Sequence, residues 1–171
     1  MKKRNKLYIT LVIFTISLAI ILFLYFKIRE PFYLSFFREN EKSLNEFVTE
    51  IKNYKKIYGM TKNKTGNTLN DKHYTFKKEQ ADTSGKGRQV YYIEDLLKNL
   101  DIQQSTFEKF RTRMEKIKID DFFVHDDVSI SFGISSGRYG VIYDERNTSK
   151  WYNEPDYHRT KLSDNWYYWS F

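Results

Sequence analysis

The chain has no cysteine among its 171 residues. That absence excludes disulfides, thiolate zinc sites, cysteine nucleophiles and a lipid-modified cysteine, and it is compatible with export, where a stray thiol is a liability. Alanine is nearly missing as well: only Ala19 and Ala81 occur, against 14 Tyr and 14 Phe. The favoured residues have A/T-rich codons, so part of the lysine excess reflects base composition and not selection for an anionic partner. Signatures of chemistry are also lacking. The "SGKG" at 84–87 has no G-x-x-x-x-G-K-[ST] frame, and no G-x-S-x-G elbow surrounds Ser135 or Ser136. His73, His125 and His158 lie in three separate segments without H-E-x-x-H spacing, so neither a metal nor a cofactor is expected. The pairs Asp120/Asp121 and Asp126/Asp127 flank a β-like stretch and read as strand ends facing water.

The net charge is +7, but four of the 29 basic residues (Lys2, Lys3, Arg4 and Lys6) fall within the first six positions. The other 25 stand against 22 acids, a poor electrostatic footprint for nucleic acid, and no nucleic-acid partner is expected.

What the sequence does have begins directly after this basic start. "LYITLVIFTISLAIILFLYF", residues 7–26, is twenty residues without a charge. At 1.5 Å per residue such a helix covers a bilayer core of about 30 Å. A cleaved signal peptide would have a shorter apolar stretch and a small-residue cleavage site, whereas this one leaves through Tyr25, Phe26 and Lys27. We read it as an uncleaved anchor holding residues 1–6 in the cytoplasm and everything after it outside the inner membrane, with the lipid bilayer as partner for 7–26. Residues 27–37 form a juxtamembrane segment whose Phe32, Tyr33, Phe36 and Phe37 suit either an interfacial aromatic belt or a core.

Residues 38–171 are expected to form a single domain. From Pro31 to about Ile57, Leu44, Phe47, Val48, Ile51 and Tyr54 recur at helical spacing, with Gly59 as a natural stop. Residues 60–88 are polar and rich in turn residues, and only "HYTF" (73–76) has the makings of a strand. "QVYYIEDLLKNLD" (89–101) reads as a strand merging into a helix. Ser105 and Glu108 form a capping-box pattern ahead of a stripe of Phe107, Phe110, Met114 and Ile117. The period then changes to two: Val128, Ile130, Phe132 and Ile134 alternate with small residues, which predicts a β-hairpin with one buried face, preceded by a neighbouring strand in "DDFFVH". Residues 146–163 form a second long polar connection, and the terminal "NWYYWSF" (165–171) puts aromatics on both sides of a strand. A membrane barrel would need at least eight strands of about ten residues, so a core strand is expected there instead.

The fold expectation is therefore α+β: an antiparallel sheet of about four or five strands packed against two or three helices, preceded by one N-terminal transmembrane helix. The functional expectation is a non-catalytic, membrane-anchored extracytoplasmic domain that binds another macromolecule, such as the target of an immunity-type inhibitor or a fellow subunit of an envelope complex. The aromatic connection supplies the candidate binding residues Trp151, Tyr152, Tyr157 and His158. The alternative is an envelope enzyme using His158 with Asp156 or Glu154.

Overall fold

A computed structural model of the chain describes residues 15–18, 31–63, 66–81, 89–134, 138–147 and 158–170. Two compact units result, 1–36 and 37–171. In the first, residues 15–18 are helical and exposed. The rest of the expected span at 7–26 lies outside the described residues, and among those described no helix is long and apolar enough to cross a membrane.

The second unit is α+β. Helix α1 (Phe32–Asn53) enters it from the boundary, and helices α2 (Ile93–Asn99) and α3 (Gln104–Ile117) lie within it. Its strands are β1 (Gly59–Asn63), β2 (Gly66–Leu69), β3 (Lys72–Thr75), β4 (Val90–Tyr92), β5 (Asp121–Val124), β6 (Ile130–Gly133), β7 (Tyr139–Tyr143), β8 (His158–Ser163) and β9 (Trp166–Ser170). They form one nine-stranded sheet in the order β4-β3-β2-β1-β5-β6-β7-β9-β8. Every neighbouring pair is antiparallel except β3 and β4. The sheet is thus mixed, with about twice the expected number of strands.

The additional strands come from two stretches that read as loops. Between 60 and 81, strands β1 to β3 form a meander in which Met60, Leu69 and Tyr74 are the buried apolar side chains. With so few apolar residues per strand, the segment shows no period of two. Its turn chemistry is legible in retrospect: Asn70 and Asp71, between β2 and β3, both have positive φ, as a two-residue hairpin turn requires. The other missed strand is β8, which pairs along β9 from His158 to Ser163.

Helix α1 stops at Asn53 and not near Ile57; beyond it the amides of Tyr54 and Ile57 bond three residues back, to the Ile51 and Tyr54 carbonyls, at 3.2 and 3.3 Å. Gly59 is no helix stop; it belongs to β1, where a Cβ would come within 2.7 Å of the Phe123 ring. Helix α3 begins one residue before Ser105 and has no side-chain cap, and Glu108 pairs with Arg111 at 3.3 Å, so the capping box does not form.

One face of the sheet carries α1 and α3. Phe47 of α1, fully buried, packs on Phe110 of α3 and on Phe122 and Phe132 of the sheet, with ring centroids 5.3–5.9 Å apart. Arg113 of α3 reaches back to Glu46 and Glu50 of α1, both at 3.0 Å. Phe37 packs in this core, its ring 5.5 Å from that of Trp166.

Candidate functional site

Two chemically different surfaces meet where β5 turns into β6. Along β5 alternate side chains share a face, so Asp121, Phe123 and, one step past the strand, His125 point away from the helices. Opposite them on β6 stand Gly133 and Ser131. The Asp121 carboxylate lies across the neighbouring strand and accepts the Gly133 amide at 3.1 Å. Only glycine permits this, since a Cβ at 133 would lie 2.7 Å from the carboxylate carbon. Burial drives the Asp121 carboxyl up to about 6; the Gly133 amide pulls it down and the charge of Asp120 adds to the rise. His125 places Nε2 2.8 Å from the Ser131 hydroxyl. Its pKa is pushed down by burial, against the opposing pull of Asp127 and Asp126.

On the helix face of the same junction is a cleft of about 460 Å³. Ile51 from the last turn of α1, Ile57 from the segment between α1 and β1, and Val124 and Ile130 from a directly opposed β5–β6 pair line it. Tyr58 and Val128, both substantially exposed, line it too. The expected strand starting at Val128 begins instead at Ile130. Val128 sits in the turn, donating its amide to the His125 carbonyl at 2.8 Å, while Asp127 accepts the amide and hydroxyl of Ser129. Its φ is +63°, a left-handed conformation strongly disfavoured for a β-branched residue, and it is 52% exposed. The cleft wall at Tyr58 is held by Asn70, whose side chain accepts the Tyr58 amide at 2.9 Å and donates to the Lys56 carbonyl at 2.7 Å.

The charged residues lining the cleft are Lys52 and Lys55. Lys52 is engaged by Glu145 at 2.8 Å and lies over the Tyr143 ring. The next lysine, Lys56, is paired with Asp101.

Of the residues singled out in the sequence, Trp151, Tyr152 and Tyr157 lie outside the described residues, as do Glu154 and Asp156. His158 is exposed at the start of β8, its Cα opposite Ser170. The histidines are not gathered: His73 is on β3, His125 follows β5 and His158 is on β8. At about 4.8 Å per strand, the seven strand-to-strand steps from β3 to β8 place His73 and His158 some 34 Å apart along the sheet. Among the described residues no cluster of three or more His, Asp or Glu could hold a metal. Asp121 does not face water as a strand end would; it is buried. The alternation D-F-F-V-H against S-I-S-F-G was the signal that could have placed Asp121, His125, Ser131 and Gly133 together. The cleft had no comparable signal, because its walls come from two stretches far apart in sequence, 51–58 and 124–130.

No family model matches the chain, no curated protein matches its sequence and no solved structure matches its fold.

Proposed function

We propose that the chain is a membrane-anchored extracytoplasmic interaction module, and that its domain docks another macromolecule at the cleft beneath the β5–β6 turn. The uncharged run at 7–26 behind a basic start supports the anchor and its orientation. A single observation carries the docking site: Val128, an aliphatic residue, is held in a strained conformation and left exposed beside an apolar cleft. Strain of this kind costs about 1–3 kcal/mol and persists where the surroundings over-determine it, as at ligand clamps. An immunity-type inhibitor and an envelope-complex subunit both fit this description.

The test is cross-linking in intact membranes from a photoreactive residue placed at Tyr58, with and without Val128→Asn. Asparagine accepts a left-handed backbone but removes the apolar contact. A cross-linked product lost on this substitution, in a domain that remains folded, supports the reading; a product indifferent to Val128 refutes it. A reporter that is active only outside the cytosol, fused to Phe171, checks the topology, and a stable but silent fusion reverses it.

One observation favours the enzymatic alternative, and it concerns His125 and not His158. A histidine nitrogen 2.8 Å from a serine hydroxyl is the first element of an activated nucleophile. Labelling of Ser131 by a fluorophosphonate, abolished in His125→Gln, is the outcome that would establish it.

A further inference from the structure

The kind of segment that the cleft accepts, which rests on the docking reading above, is set by the cleft's rim charge. Of the eight residues that line it, the two charged ones are both lysines. Glu145 compensates Lys52 at 2.8 Å, and Asp101 compensates the neighbouring Lys56 away from the cleft. Among the described residues, Lys55 has no carboxylate within ion-pair distance and is exposed. The cleft therefore combines aliphatic walls from Ile51, Ile57, Val124 and Ile130 with one ammonium at its edge that no described carboxylate compensates. At about 460 Å³ it has room for one large side chain and its flanking backbone, and falls within the size range of recognition pockets.

We infer that the partner is a protein segment presenting one large apolar side chain next to a carboxylate, the apolar group seated between α1 and the β5–β6 pair and the carboxylate on Lys55. The apolar contact supplies most of the affinity, as buried anchors do at interfaces. The rim charge pair supplies orientation and discrimination against basic segments.

The probes that test this are three acetylated, amidated dipeptides, Asp-Phe, Asn-Phe and Lys-Phe, each carrying 4-fluorophenylalanine. Their ¹⁹F transverse relaxation is measured with the full chain reconstituted in nanodiscs and with empty nanodiscs. The expected order of binding is Asp-Phe, then Asn-Phe, then Lys-Phe, with about two- to five-fold between the extremes, the scale of one exposed ion pair. Lys55→Glu reverses the order, and Val128→Asn weakens all three alike. Equal binding of the three peptides, or an acidic preference that survives Lys55→Glu, overturns the charge inference while the docking reading stands. No relaxation above that of empty nanodiscs for any of them overturns both.

Discussion

At the scale of single residues, two side chains on the β5–β6 junction sit in unfavourable surroundings, Val128 in its backbone conformation and Asp121 in its burial. Val128 occupies the left-handed region at a cost of about 1–2 kcal/mol for an L-residue with a Cβ. If the valine is kept for its exposed methyls, Val128→Asn should stabilise the isolated fold by about 1 kcal/mol while weakening partner binding. A fall in the unfolding midpoint would mean that the side chain serves the fold. Asp121 is the second case. Its carboxyl is raised to about 6 by burial, so the unfolded chain releases this proton at lower pH than the folded one. Its contribution to stability is complete below about pH 4 and is lost as pH rises through 6, a swing of roughly 3 kcal/mol for a shift of this size. His125, with its pKa depressed, works in the opposite sense: its contribution is present above about pH 6.5 and falls away on acidification. In Asp121→Asn the denaturant-derived stability at pH 7.5 should rise by about 1–2 kcal/mol, and the fall between pH 4 and 7 should disappear, leaving the histidine's rise. An unchanged slope in the variant would assign the pH dependence elsewhere.

At the scale of elements, the chain was legible wherever apolar residues repeat densely and opaque wherever a strand buries only one or two. The stripes of Phe47, Val48 and Ile51 in α1 and of Phe107, Phe110, Met114 and Ile117 in α3 are both buried, as their spacing predicts. The β6–β7 pairing and the strand in "DDFFVH" are also present. Strands β1 and β2 escaped notice because Thr61, Lys62, Asn67 and Thr68 carry no alternation, and their pairing is fixed by backbone hydrogen bonds and the Asn70–Asp71 turn, whereas β3 overlaps the strand expected at "HYTF". Strand β6 shows a subtler departure. It was expected to bury one face, yet Ser131 and Gly133 are buried along with Ile130 and Phe132. The reason is lateral: on the face away from the helices, glycines let large neighbours lie flat across the sheet. Asp121 lies over Gly133, Phe123 over Gly59 and Trp169 over Gly140. At Gly140 a Cβ would overlap the Phe132 carbonyl oxygen and stand 2.9 Å from the Trp169 ring, so the methyl has neither backbone nor side-chain room. Gly140→Ala should therefore cost about 3 kcal/mol, at the upper end of overpacking penalties. A loss below about 1 kcal/mol by chemical denaturation would mean that Trp169 yields easily.

At the scale of the whole molecule, β9, the last of the described strands along the sequence, is an internal element of the sheet. β9 lies between β7 and β8, and among the described strands β8 has no other neighbour. Both faces of β9 are used, which is what the crowding of aromatics at 166–169 signalled. Trp166, only 2% exposed, stacks among Phe37, Phe132 and Tyr143 and donates Nε1 to the Asn45 side chain at 2.9 Å. Trp169, 5% exposed, covers Gly140 on the opposite face. Truncating either tryptophan to alanine typically costs about 3–5 kcal/mol, against a total stability of about 5–15 kcal/mol for a domain. Deleting 165–171 removes both and leaves β7 with an unpaired edge and β8 with nothing to pair against, so the shortened domain should show no cooperative melt and no near-ultraviolet dichroism from its remaining tyrosines. Tyr167→Ala provides the scale for comparison. Tyr167 is half-buried under the Arg159 guanidinium, which lies 3.3 Å from its ring centroid, and its removal should cost only about 1 kcal/mol. If the truncated domain instead melts cooperatively within a few degrees of the full chain, β9 is an addition to a sheet that already closes at β7, and the aromatic ending belongs to a surface.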